Sequence, residues 1–290
     1  MKTKVSNCIA FPPSLDCSFL IPYFEERAFA LGVGVYRRTV CVCFLFGIVA
    51  PYLLGQGSAG TAGNIEPRYL VDIPTAGMLG KGMFGLDVDF YQQGGVVLSL
   101  SAGILDRLSF GLSYGGSNLL GSDEPVMNPI PGANIKIRVI EENMVLPAIA
   151  IGFDSQGKDG YLKDLNRYVI KSPGFYATAS KNYSLLGYFS LHGGVNYSLE
   201  RGDDDKDVNL FGGVEKTIGP VVSVLLEYNL GANDTNGDAP GRGRGYLNAG
   251  LKCSISGGLT LGVNLKDLLK NGNTVHVGNR TVKIEYAKSF

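Results

Sequence analysis

The sequence has little of what marks several large functional classes. It contains no tryptophan and only two histidines, and its 26 basic residues are balanced by 26 acidic residues. A net charge of zero argues against a nucleic-acid partner, which needs a basic surface, and against an acidic cation buffer. After residue 60 no run reaches the about 20 apolar residues of a membrane-spanning helix. The sequence therefore predicts neither a nucleic-acid-binding protein nor a helical membrane protein.

Cysteine is scarce where a folded domain would need it. Four of the five cysteines, Cys8, Cys17, Cys41 and Cys43, lie in the first 45 residues, and only Cys253 lies beyond them. A protein with no cysteine pair in its folded part is not a disulfide scaffold. We expect Cys253 to act as a small apolar residue that faces lipid.

Glycine is abundant, with 41 residues, and it is accompanied by 15 tyrosines and 14 phenylalanines. Beyond residue 60, short alternating segments rich in valine, leucine, aromatic residues and glycine are separated by clusters of glycine, aspartate, asparagine and proline. Strands joined by turns have this composition. The sequence therefore predicts an all-β protein.

Residues 36–60 have the organisation of a secretory signal. Arg37 and Arg38 precede an uncharged apolar stretch at 40–54, and small residues follow at 55–60. A basic start, an apolar centre of about 15 residues and a small-residue exit are typical of a signal peptide. A membrane anchor is the alternative. A lipoprotein is rejected, since no lipoprotein cleavage motif precedes the nearby cysteines.

Residues 1–35 fit neither a signal nor a barrel, because acidic residues such as Glu25 stand where a signal should be basic. Our hypothesis is that this segment results from a start codon assigned too early, or is unstructured, and that translation begins near Val33 or Val35. Peptides from residues 1–30 in the unprocessed protein would refute it.

Residues 61–81 contain Pro67, Pro74 and several glycines. We interpret this segment as a periplasmic lead-in to the folded part, with a plug as the alternative.

From residue 82 to the end the hydrophobic pattern has a period of two. In residues 83–91, for example, Phe84, Leu86 and Val88 share one face while Asp87 and Asp89 share the other. This alternation predicts half-buried strands. About twelve are expected, at 83–91, 96–104, 108–115, 133–140, 144–153, 173–182, 187–199, 208–216, 221–230, 246–254, 259–266 and 281–290.

The polar face of these strands carries charge along the whole chain. The predicted lumen-lining residues are Asp87, Asp89, Lys136, Arg138, His192, Glu227, Lys252, Lys266, Lys283 and Glu285. One continuous apolar face and one charged face suit a wall with lipid outside and a wet lumen inside. A soluble barrel such as a lipocalin would turn its apolar face inward.

The connections also alternate, because those after the even strands are short and most of those after the odd strands are long. This is the pattern of outer-membrane proteins, with short periplasmic turns and long external loops. We therefore predict a transmembrane antiparallel up-and-down β-barrel of about 12 strands in the bacterial outer membrane. Pro147 is an exception, since a closed barrel has no edge that tolerates a missing N–H.

The last strand resembles the C-terminal assembly signal of bacterial outer-membrane barrels. Val282, Ile284, Tyr286 and the terminal Phe290 share one face. We expect this face to be read by the barrel assembly machinery, and the outer wall to contact membrane lipid and lipopolysaccharide.

The two histidines give little indication of a catalytic site. Ser190 shares a face with His192 and is a conceivable catalytic neighbour, but we favour a lumen-lining or structural His192. No nucleotide motif or Cys/His metal spacing occurs. The sequence therefore predicts no enzyme, no cofactor and no metal.

Two loops resemble cation-binding loops, Asp203-Asp204-Asp205 and the segment 233–238. The second lacks the first acid and the closing glutamate of a calcium loop. We interpret both as solvated surface loops, with weak Ca²⁺ binding as the alternative. The segment 241–245, Gly-Arg-Gly-Arg-Gly, is interpreted as a flexible turn, with phosphate contact, for example to lipopolysaccharide, as the alternative.

Four segments resemble the YjbH-type outer-membrane proteins found with exopolysaccharide operons. They are residues 70–77, 152–157, 172–181 and 191–197, which are rich in glycine and aromatic residues. The resemblance covers about residues 66–290, although YjbH proteins are considerably longer. It implies a barrel that assists polysaccharide export together with export components.

Four functions stay open. The barrel is a narrow porin-like channel or an accessory to exopolysaccharide export, or it is a plugged structural or interaction barrel without transport. An enzyme is the least favoured. The transported solute and the oligomeric state are not predicted.

Overall fold

The computed structural model describes residues 65–236, 238–273 and 278–290. The predictions of an early start codon and of a signal peptide at 36–60 lie outside these residues. Fifteen strands occur among the described residues, numbered in chain order: β1 Met83–Tyr91, β2 Gly95–Leu105, β3 Leu108–Ser117, β4 Val126–Met127, β5 Gly132–Ile140, β6 Ala148–Asp154, β7 Lys158–Leu162, β8 Arg167–Ile170, β9 Gly174–Ser184, β10 Tyr188–Tyr197, β11 Asn209–Ile218, β12 Val222–Asn229, β13 Tyr246–Ser256, β14 Leu259–Lys266 and β15 Asn279–Ser289.

Twelve of these strands form a closed antiparallel barrel, as predicted. Each of them pairs with the next wall strand along the chain, and the ring closes where β1 pairs with β15, with Asp87 opposite Glu285. The short β4 pairs with the end of β3, and β7 and β8 form a separate hairpin. Closure satisfies the backbone groups that an open sheet would leave at its two edges.

The predicted strand limits agree with the structure to within two residues at all but one position. The fifth wall strand, β6, begins at Ala148 instead of about residue 144. Pro147 therefore lies in the turn before the strand, where its missing N–H costs no ladder hydrogen bond. In the short first hairpin Gln93 and Gly94 both have positive φ angles, 59° and 60°, as favoured tight hairpin turns require.

The outer face of the wall is apolar around the whole barrel. Leu100, Leu112 and Val263 are 56%, 52% and 54% exposed on three different strands. The four charged residues on this face, Lys181, Lys216, Arg280 and Lys288, all lie near strand ends. An exposed apolar band of this extent is unfavourable in water but suits hydrocarbon.

The terminal strand packs against the first one. Phe290 donates its backbone N–H to the Gly82 carbonyl at 2.9 Å. Its ring lies 5.3 Å from that of Phe84, which also contacts Tyr286 at 5.9 Å. Val282 is exposed on the outer face of the same strand. The residues proposed as an assembly signal are thus at the closing seam.

Helical structure in the described residues is limited to a 3-10 turn, Lys163–Leu165. None of the helices among these residues is long and apolar enough to cross a membrane.

Candidate functional site

The candidate functional site is the interior of the barrel. All ten predicted lumen-lining side chains lie on the inner face of the wall. Four of them form an ion-pair cluster, in which Glu285 contacts Lys252 at 3.1 Å and Lys283 at 3.4 Å. Lys283 also lies 3.9 Å from Asp89. The inner face is therefore charged, as the alternating pattern predicted, and the charges of this cluster are paired with one another.

Residues 65–79, hereafter the plug, lie inside this lumen. The segment makes a tight turn, in which Leu70 N–H donates to the Ile73 carbonyl at 3.0 Å and Thr75 N–H to the Arg68 carbonyl at 3.1 Å. The interpretation of residues 61–81 as a lead-in outside the barrel is corrected for these residues. The plug alternative describes them, because the wall supplies partners for main-chain groups that an irregular segment cannot pair within itself.

An apolar contact holds the turn of the plug. Leu70, Val71 and Ile73 form a buried cluster with Phe211 and Leu225, which point inward from β11 and β12. These two wall residues are apolar on a mostly polar face. Burying this surface removes it from water and stabilises the docked plug.

Glu227 on β12 clamps the same turn. Its carboxylate accepts the backbone N–H groups of three successive residues, Val71 at 2.9 Å, Asp72 at 2.9 Å and Ile73 at 3.2 Å. Asn248 donates a further hydrogen bond to it at 2.8 Å. Successive N–H groups in a turn form a concave anion site. The plug thus presents an anion-binding nest, and Glu227 fills it.

Cations on the wall hold the carbonyls of the plug. Lys136 Nζ donates to the carbonyls of Arg68, Thr75 and Gly77 at 3.0 to 3.1 Å. Lys252 Nζ donates to the carbonyl of Tyr69 at 3.1 Å. The wall therefore binds the main chain of the plug at both its donors and its acceptors.

Side-chain ion pairs complete the docking of the plug. Asp72 contacts Lys266 at 2.8 Å, and Arg68 contacts Asp87 at 2.5 Å. Arg138 pairs with Glu66. Removing one member of such a pair strands a buried charge, which typically costs about 3–5 kcal/mol.

The hairpin of β7 and β8 closes over the mouth at the long-loop end. Lys158 Nζ lies 4.8 Å from the centre of the Tyr69 ring, and Asp159 lies 3.5 Å from Lys266. Burial raises the pKa of Asp159, and Lys266 offsets part of that rise. The hairpin thus reaches the plug and does not project into solvent.

A buried ionic cluster ties the long loops together. Arg167 contacts Asp203 and lies 2.7 Å from Asp234, and Lys171 lies 2.7 Å from Asp203. Tyr246 donates its hydroxyl to Asp234. Burial raises the pKa of Asp234, which Arg167 opposes.

This cluster corrects the interpretation of the two acidic segments as solvated loops. Asp203, Asp205 and Asp234 are buried, because they neutralise or pair with groups from neighbouring loops. Sequence reasoning missed Arg167 as their partner, since it lies 36 and 67 residues away. Within the described residues no group of three or more His, Cys, Asp or Glu side chains has the geometry of a metal site.

The segment 241–245 is anchored. Asn271 accepts the backbone N–H groups of Arg242 at 3.1 Å and Arg244 at 2.7 Å. The interpretation of this segment as a flexible turn is therefore corrected. Cys253 is exposed on the outer face of β13.

The partner of His192 is Ser180, at 2.8 Å from its Nδ1, whereas the hydroxyl of Ser190 donates to Asn182. Ser190, the conceivable catalytic neighbour, is therefore not the partner of His192. Ser180 also accepts the Ala76 N–H of the plug at 2.9 Å. This arrangement serves docking, since the hydroxyl is already committed to the plug.

Two other carboxylates on the inner face were not among the predicted lumen-lining residues. Asp154 accepts the hydroxyl of Tyr69, and Glu215 is buried on β11. Glu215 stands at the inward phase of the predicted strand 208–216, so the period of two was a sufficient signal for its placement, whereas Asp154 lies one residue beyond the predicted end of the strand 144–153.

Comparisons with known proteins identify no family. No family model and no curated protein matches the chain. Among solved structures, the KdgM porin is similar at 10% identity with a TM-score of 0.43, covering 72% of this chain and 99% of its own. The NanC porin is similar at 7% identity with a TM-score of 0.41, covering 71% and 99%.

Proposed function

We propose that this chain is a narrow channel of the bacterial outer membrane whose lumen is reduced by its own plug. A closed wall with an apolar outer face suits lipid. The inner face carries the charges Lys136, Glu227, Lys252, Lys266 and Lys283, which suit contact with water.

The observation that supports a channel most is the chemistry of plug docking. The plug is held by buried ionic and main-chain contacts such as those of Glu227 and Lys136. Buried ion pairs stabilise a fold poorly compared with well-packed apolar residues. A permanently filled lumen could be held as well by apolar packing, whereas a lumen that also admits water needs a polar wall.

A plugged structural or interaction barrel is the second candidate. Two elements that close the lumen favour it: the plug lies inside the lumen, and the β7–β8 hairpin lies at its mouth. An enzymatic role is not proposed, because the His192–Ser180 pair takes part in docking the plug.

The location is tested by fractionating cells and running the protein unboiled on a detergent gel. We expect it in the outer membrane, with an SDS-resistant form whose mobility changes on boiling, because a closed barrel has no edge at which unfolding begins. A soluble periplasmic protein without this shift would contradict the proposal. Small, steady conductance in a planar bilayer would then separate the channel from the structural barrel, which is silent.

We propose further that the channel assists exopolysaccharide export, working with polysaccharide export components. The support is the resemblance of segments such as 70–77 and 172–181 to YjbH-type proteins. Cells that lack the gene should secrete less polysaccharide, and restoring the gene should restore it. Unchanged secretion would remove this role and leave the channel untouched.

A further inference from the structure

The inner faces of β2 and β3 differ from the rest of the wall. Nine of their ten inward positions are glycine or serine, and the tenth is Val97. The ten are Gly95, Val97, Ser99, Ser101, Gly103, Ser109, Gly111, Ser113, Gly115 and Ser117. These short, neutral side chains leave space where other strands project long charged ones.

The plug touches this side at its end, where the backbone of Leu79 lies against Gly103, but it is clamped from other strands. Its clamps come from β5, β12, β13 and β14, through Lys136, Glu227, Lys252 and Lys266. Toward β2 and β3 the plug extends the Arg68 side chain, which donates to Ser101. Free volume in the lumen is therefore expected between the plug and the β2–β3 wall.

Three small cavities lie in series beside the plug, the upper two against β2 or β3 and the lower one against β13, β14 and β15. An upper cavity of about 30 Å³ is lined by Tyr91, Val97 and Asp159. A middle cavity of about 60 Å³ is lined by Ser101, Ser109 and Ser113. Both also include Asp89, Ser99, Gln156 and Lys158, so they adjoin. A lower cavity of about 30 Å³ reaches Gly258 in a short turn.

Side chains separate and border these cavities. Arg68 lines both the middle and the lower cavity, and lies between Asp87 and Ser101. Gly85 provides room for it, because a Cβ there would lie 2.8 Å from the guanidinium. Gln156 lies near the upper end, where Ser113 donates to it at 3.2 Å. Rotation of these two side chains would join the cavities without moving the plug.

We propose that the conduction pathway runs beside the docked plug through these three cavities, with Arg68 and Gln156 as its constrictions. This inference rests on the channel function proposed above. A site for one water takes about 10–15 Å³, so the middle cavity holds roughly four waters. Both signs of charge border it, with Asp89 facing Lys158 and Lys283. The pathway therefore suits water and small hydrated ions and not sugar chains.

The test uses single cysteines in the full-length barrel with its own cysteines replaced by serine. Ser99→Cys places a thiol where the upper and middle cavities adjoin. Thr178→Cys is the matched control, because Thr178 also points inward but donates to the Pro74 carbonyl of the plug at 3.2 Å. A negatively charged methanethiosulfonate reagent is added to the protein in a planar bilayer, where conductance is recorded. It is also added to the protein in vesicles, where labelling is measured by mass spectrometry.

We expect the reagent to label Ser99→Cys and reduce its conductance several-fold, with little effect on Thr178→Cys. Arg68→Gln should raise the unitary conductance. Loss of conductance in Thr178→Cys alone, or labelling of Ser99→Cys without loss of conductance, would overturn the proposed pathway. Neither result would contradict the channel function. A folded barrel that is silent and unlabelled at both positions would instead contradict the channel function itself.

Discussion

Replacing Glu227 with alanine is expected to release the plug and produce a second, larger conductance level. The substitution removes the acceptor for the N–H groups of Val71, Asp72 and Ile73. An unpaired buried donor costs about 1–3 kcal/mol. Three of them weaken docking by about 3 kcal/mol or more, which is roughly a hundredfold increase in the undocked fraction.

The measurement is single-channel recording in a planar bilayer, scoring the fraction of time in the larger level. Glu227→Gln should lie between the wild type and the alanine variant, since its amide oxygen still accepts hydrogen bonds but carries no charge. Glu215→Ala is the control, because Glu215 is equally buried on the neighbouring strand and interacts with Ser223. If Glu215→Ala matched Glu227→Ala, the effect would belong to lumen charge in general and not to the clamp.

The wall could be predicted from the sequence, because its determinants are local. In β2, Leu98 and Leu100 face outward while Ser99 and Ser101 face inward. A strand whose two faces meet different solvents repeats this pattern every two residues. The limits of each strand and the face on which each side chain lies therefore follow from the order of polar and apolar residues alone. Twelve such segments with alternating short and long connections left few topologies other than a barrel.

The plug could not be predicted in the same way. Residues 70–77 have no period, and their partners lie far away in sequence, as in the 156-residue separation between Val71 and Glu227. Alternation placed Glu227 on the inner face but could not say that it binds main-chain N–H groups. The same limit applies to Arg167, whose burial depends on loops that three different strand pairs bring together.

The central claim is that the docked plug limits the lumen, and a disulfide lock tests it directly. The backbone nitrogen of Ala76 and the hydroxyl of Ser180 are 2.9 Å apart, so the two residues are in contact, and formation of the disulfide is verified before recording because it also requires suitable Cβ geometry. Ala76→Cys and Ser180→Cys are combined with Glu227→Ala, in a barrel whose other cysteines are replaced by serine. The same molecules are recorded before and after a reducing agent is added, so every other substitution is held constant.

We expect the oxidised barrel to show only the small conductance of the wild type, because the lock restores docking without Glu227. Reduction should release the plug and reveal the larger level. A barrel with a confirmed disulfide that showed the larger level already when oxidised, or the same conductance before and after reduction, would contradict the claim that the plug limits the lumen.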